Sequence, residues 1–185
     1  MTRTHKLMID LETASTENNA AIVQLAAVEF GLPYGVTPRT FNSYIALESC
    51  ERARMNVSVG TMMWWDKQDP QLRAKVFGGI EHIWHALDKF EAWCEKEFDD
   101  CNNVELWGNG ADFDCVILRN AYDLVGTGYP FDFRKHRCFR TLKSLAPPSL
   151  ERLFPTNPMK HDALEDARNQ ATIANIILGN LRWMP

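Results

Sequence analysis

Within the first 47 residues three β-tending runs follow one another: "HKLMIDLET", "AIVQLAAVEFG" and "RTFNSYIAL". Parallel neighbours would need a crossover of a dozen residues or more, and the connections here are short, so an antiparallel meander is expected. The middle run is apolar enough for either a helix or a strand. Its β-branched start and the turn signal "GLPYG" after it favour a strand. Beyond it the pattern changes. "SVGTMMWWDKQ" reads as a helix capped by Ser58, and Pro70 opens a further turn. "EHIWHALDKFEAWCEKEF" places Ile83, Leu87, Phe90, Trp93, Cys94 and Phe98 at helical spacing. "VELWG" is a short strand, "DFDCVILRNAYDLVG" a helix ending at Gly126, and "HRCFRTL" a strand running into a helix. A last helix spans Ala163 to Leu178. The expected fold is α/β: a mixed five-stranded sheet, three antiparallel strands and then two parallel, flanked by helices.

At 185 residues the chain suits a single domain, residues 1–185, with a sizeable core. Hydrophobic residues make up 45%, and no apolar run is long enough to span a bilayer. The N-terminus "MTRTHKLMIDLET" lacks a signal-peptide pattern. The five cysteines include no C-x-x-C pair, so reduced thiols in a cytoplasm are expected. A net charge of −4 argues against binding nucleic acid by bulk positive charge. It leaves room for an enzyme that holds nucleic acid through metal ions.

Three acidic clusters carry the chemistry. In "MIDLET", Asp10 and Glu12 lie two apart on a strand, so both project from one face. Two carboxylates so close repel unless a cation lies between them, and hard oxygen ligands suit Mg²⁺ or Mn²⁺. A solvated strand edge is the bland alternative, which the apolar flanks Leu7, Met8, Ile9 and Leu11 weaken. In "GNGADFDCVIL", Asp112 and Asp114 both fall at a helix start; one would cap, and the other would project from the strand end towards the first cluster. In "HDALEDA", Asp162 and Glu165 have the spacing of a capping box. His161 then lies on the loop just outside the helix, and Asp166 projects from within it.

Taken together, D-x-E, then F-D after a strand, then H-x-x-x-x-D near the C-terminus resemble the DEDDh 3′→5′ exonucleases, the superfamily of ribonuclease T and DnaQ on a ribonuclease H-like fold. The resemblance covers most of the chain. In that superfamily the second-motif acid follows a phenylalanine, which selects Asp114; the usual His-Asn there is Gly108-Asn109 here. "WGNGADFD" and "WWDKQDPQLR" are similar to a phage and bacterial ribonuclease T-like subgroup, including DexA-type exonucleases.

The resemblance implies hydrolysis of DNA or RNA from the 3′ end, releasing nucleoside 5′-monophosphates with two divalent ions, Mg²⁺ or Mn²⁺, about 4 Å apart. Asp10, Glu12 and Asp166 would hold one ion, Asp10 would bridge to the second, Asp114 would assist there, and His161 would be the general base. It implies nucleic-acid 3′ ends as partners and also a homodimer. For substrate contacts, Thr13 follows the first motif. Trp64 and Trp65 are about 100° apart on a helix, so they cannot share one face. Trp65 and Gln68 are assigned to the cleft and Trp64 to the core, with both tryptophans in the core as the other reading. Arg137 and Arg140, in the basic run "RKHRCFRTLK", offer phosphate contacts. His82 and His85 read as surface positions without a role. Two rivals remain: a non-catalytic nucleic-acid-binding module on the same fold, and a phosphodiesterase specific for short oligonucleotides.

Overall fold

The computed structural model describes residues 4–31 and 35–181. Strands β1 (His5–Thr13), β2 (Ile22–Gly31) and β3 (Gly35–Tyr44) form the antiparallel meander. The turn expected between β2 and β3 falls at 32–34, outside the described residues. β4 (Val104–Gly108) and β5 (Arg137–Cys138) add in parallel on the other side of β1, giving the order β3-β2-β1-β4-β5. This is the expected five-stranded mixed sheet of the ribonuclease H-like fold. β2 is buried along nearly its whole length, which explains why its sequence runs apolar without alternation.

Helices cover both faces. Along β1, Leu7, Ile9 and Leu11 enter the larger core. There they meet Leu87 and Phe90 of α4 (Ile83–Phe98) and Leu118 and Tyr122 of α5 (Asp114–Val125). Met8 points the other way and packs with Ala167, Ala171 and Ala174 of α8 (Ala163–Leu181). The small residues of α8 let it lie close against the sheet, and Asp10 and Glu12 continue the Met8 face.

Between these lie short helices: α1 (Leu47–Arg52), α2 (Val59–Trp65), α3 (Pro70–Phe77), α6 (Phe139–Ser144) and α7 (Pro148–Glu151). Ser58 caps α2 by accepting from the Thr61 N–H, and Pro70 stands in the first turn of α3 with Asp69 as its cap. The third strand was read through Leu47, but pairing stops at Tyr44, and Ile45 makes only an isolated bridge to Glu81. Leu47 and Cys50 lie three apart and both join the core, a helical spacing that the apolar run "YIAL" conceals. Gly126 ends α5 in a left-handed conformation, as its sequence position suggests.

Candidate active site

β1 and β4 run in parallel, so their C-terminal ends open on the same edge, where open α/β sheets gather ligands. Asp10 and Glu12 occupy the end of β1. Asp114 reaches them from the turn after β4. Gly110, at φ +144°, makes that turn. Gly108 makes room for it, since a Cβ there would stand 2.8 Å from Asp114 Oδ2. The glycine in place of the superfamily's usual histidine is therefore filled by the aspartate itself. Asp114 is 4% exposed and its Oδ1 accepts from the Leu11 N–H at 3.3 Å, whereas Asp112 is exposed. Neither aspartate caps α5 through its side chain, because the cap position falls on Phe113.

The third cluster forms the entrance of α8. Asp162 Oδ1 accepts from the N–H groups of Leu164 (3.1 Å) and Glu165 (3.3 Å), so the predicted cap is present. Its Oδ2 accepts from Lys75 Nζ at 2.6 Å and the Tyr44 hydroxyl at 3.3 Å. Burial raises the Asp162 pKa, but Lys75 and the cap hydrogen bonds outweigh it and hold the carboxyl below its ordinary value. Glu165 does not complete the box; it pairs with Arg168. His161 sits at φ +67°, a left-handed conformation uncommon outside glycine and often kept at functional positions. Its backbone N–H donates to Asp166 Oδ2 at 2.7 Å.

Asp10, Glu12, His161 and Asp166 line one cleft of about 760 Å³; Asp10 also lines a smaller one with Asp114 and Arg140. Glu12, His161 and Asp166 offer ligand atoms that all lie within 4.8 Å of one another. Burial, reinforced by Asp114, Glu12 and Asp166, raises the Asp10 pKa well above its ordinary value. Burial and the neighbouring carboxylates push Glu12 to about 8. Burial raises Asp114 to about 7 against its backbone hydrogen bonds and the charge of Arg140. Burial and mutual repulsion favour the protonated forms of this group unless further positive charge joins it. A set of hard carboxylate oxygens that repel one another fits divalent cations.

The structure reverses the orientation assigned to the tryptophans. Trp65 is 1% exposed, packs with Val23 and Val76, and donates its indole N–H to the Thr13 carbonyl at 2.9 Å. With that partner the whole ring can be buried. Trp64 is 41% exposed and meets His161 edge-on at 4.9 Å. The assumed face from Thr61 through Trp65 to Gln68 does not exist, because α2 ends at Trp65. Gln68 lies in the following turn and donates to the Trp64 carbonyl. Thr13 and Trp64, with Phe113, border a second cleft of about 420 Å³ beside Glu12; Trp65 touches it from the core. Arg140 lines the smaller cleft with Asp10 and Asp114. The Arg137 guanidinium is taken up by Glu105 and by the carbonyls of Arg134 and His136.

Sequence reasoning passed over two amides. Asn157 donates to Asp166 Oδ1, and Gln170 to Asp10 Oδ1, both at 2.7 Å. Gln170 follows Asp166 by four residues on α8, a spacing that could have flagged it.

The profile of the 3′-5′ exoribonuclease Rv2179c-like domain matches residues 5–178. This chain belongs to that family. No protein of curated function matches its sequence. Among solved structures it is similar to cell-death related nuclease 4 (CRN-4), with 16% identity and a TM-score of 0.68 over 97% of this chain and 65% of that one. It is similar to the nuclease domain of 3′hExo, a DEDDh family member bound to rAMP, with 20% identity and a TM-score of 0.68 over 96% of this chain and 93% of that one. It also resembles E. coli exonuclease I in complex with a dT13 oligonucleotide, with 14% identity and a TM-score of 0.65 over 97% of this chain and 41% of that one. The chain thus spans just under two thirds of CRN-4 and less than half of exonuclease I. At these identities the likeness shows a shared fold alone. Among the described residues no helix is long and apolar enough to cross a membrane.

Proposed function

We propose that this chain is a metal-dependent 3′→5′ exonuclease acting on RNA. The observation that carries the reading is the convergence of Asp10, Glu12, Asp114, Asp166 and His161 at the open ends of β1 and β4. The choice of RNA is supported by the family's description as exoribonucleases and by the rAMP held by 3′hExo. The likeness to ribonuclease T-like enzymes rests on "WGNGADFD" and "WWDKQDPQLR" alone.

Asp10, Glu12, Asp114 and Asp166 would hold two divalent ions, Mg²⁺ or Mn²⁺, which would supply charge neutralisation, water activation and stabilisation of the leaving oxygen. Asp10 lines both clefts, which supports its role as a ligand common to the site. His161 takes the proton of the attacking water at a ring nitrogen. As oxygen adds to phosphorus, the bond to the 3′-oxygen breaks and that oxygen takes a proton from solvent, leaving a nucleoside 5′-monophosphate and a chain shortened by one residue with a free 3′-hydroxyl. The cleft of Thr13, Trp64 and Phe113 receives the terminal base, with Trp64 as a sequence-tolerant aromatic surface. Lys143 and Lys160, on the rim of the larger cleft, contact the phosphate chain.

The test is digestion of 5′-labelled single-stranded RNA and the matching DNA with Mn²⁺ or Mg²⁺. The expected result is a ladder shortening from the 3′ end, release of 5′-monophosphates, and faster loss of RNA. Equal rates on DNA would remove the RNA preference, and binding without cleavage of either would leave a nucleic-acid-binding module.

A further inference from the structure

Gln170 is an uncharged side chain placed against the carboxylates from below. It lies one helical turn beyond Asp166 on α8, is 7% exposed, and donates Nε2 to Asp10 Oδ1 at 2.7 Å. Its carbonyl Oε1 is buried and has no hydrogen-bond partner among the described residues, and the residue lines the larger cleft. A buried acceptor left unpaired is costly. The orientation is nonetheless forced. An Asp10 ionised to hold a cation only accepts, so the amide then presents its nitrogen to it and its oxygen is left for another donor. A lysine or arginine here would hold Asp10 equally well but would cancel the charge that attracts a cation. An amide aims the carboxylate and leaves its charge intact.

We infer that Gln170 is a positioning residue: its nitrogen aims Asp10 at the divalent-ion site, and its carbonyl accepts an O–H donor from what fills the cleft. That donor is either water in the hydration shell of the ion or a sugar hydroxyl of the nucleotide. The inference rests on the nuclease reading above. Outer partners of this kind change metal affinity typically by about 10- to 100-fold when removed.

The experiment measures Mn²⁺ alone binding to the full chain, by calorimetry or by paramagnetic resonance of the free ion, without substrate. Gln170→Met keeps the volume and loses both polar atoms; Gln170→Asn keeps the amide and loses the reach. Both are expected to weaken Mn²⁺ on the order of 10- to 100-fold. Unfolding of the metal-free proteins checks that each is folded. Combined with Asp10→Asn, the Gln170→Met loss should largely vanish, because it acts through Asp10. Binding of 5′-AMP and of its 2′,3′-dideoxy counterpart to the Ca²⁺-loaded proteins identifies the donor. A loss confined to AMP assigns a sugar hydroxyl, and an equal change for both assigns the hydration shell. Mn²⁺ affinity unchanged in both folded variants, or a loss that simply adds to that of Asp10→Asn, would overturn the inference alone. A wild-type chain that takes up no Mn²⁺ would overturn the nuclease reading with it.

Discussion

His161 is tied to Asp166 through its backbone and not through its ring: the His161 N–H donates to Asp166 Oδ2 at 2.7 Å. The imidazole is therefore left available while its position is fixed relative to a carboxylate of the proposed cation site. Removing the ring keeps that tether. His161→Ala should bind Mn²⁺ nearly as wild type while its single-turnover rate falls on the order of 100- to 10,000-fold. The ring also lies within ligand distance of Glu12 and Asp166. If it were a ligand, Mn²⁺ affinity would fall together with the rate, so titration and kinetics on one sample separate the two roles.

Asp112 and Asp114 provide an internal control. Asp114 is buried against Leu11 and Gly108, and Asp112 is exposed. Asp114→Asn is expected to lose turnover with the fold intact, and Asp112→Asn to keep activity and stability close to wild type, within about 0.5 kcal/mol. The reverse result in a nuclease assay would mean that the wrong aspartate has been placed in the site.

The features legible in the sequence are those set by local periodicity. Asp10 and Glu12 share a face because strands repeat every two residues, and Asp162 caps α8 because its spacing to Glu165 is local. What could not be read depends on where an element stops or on what it meets across the fold. Trp64 and Trp65 were assigned the wrong way round because the phase of α2 was carried past its end to Gln68. Asn157 and Gln170 acquire meaning only from Asp166 and Asp10, which lie in the tertiary structure and, for Gln170, 160 residues away.

The two tryptophans should separate binding from stability. Trp65→Ala removes a buried ring and its hydrogen bond to Thr13, and is expected to cost about 3–5 kcal/mol in chemical denaturation. Trp64→Ala removes a half-exposed ring and its edge contact with Trp65, a smaller loss to the core. It should weaken substrate binding by ~1–3 kcal/mol, the usual contribution of an aromatic stacked on a base, and appear mainly in KM. A stability loss at Trp64 as large as that at Trp65 would contradict the burial observed for each.

Metal binding and rising pH should act on stability in opposite directions. Folding raises Glu12 from 4.5 to about 8 and Asp114 from 3.8 to about 7. An acid that holds its proton more tightly when folded contributes stability fully below its unfolded value, and loses it as pH rises through the folded one. The metal-free protein should therefore become less stable from pH 5 to pH 8. Asp162 has the opposite sign: held below its ordinary 3.8, it contributes above that value and is lost as pH falls further. The two windows meet between about pH 4 and 5, where metal-free stability should be greatest. Mn²⁺ binds the ionised carboxylates, so its stabilising effect should grow with pH across the interval in which the metal-free protein weakens. Thermal unfolding at pH 5 and pH 8, with EDTA and with Mn²⁺, checks both trends. A metal-free midpoint that climbs from pH 5 to pH 8 would mean that the carboxylates are neutralised by the protein itself, and would remove the electrostatic case for a cation between them.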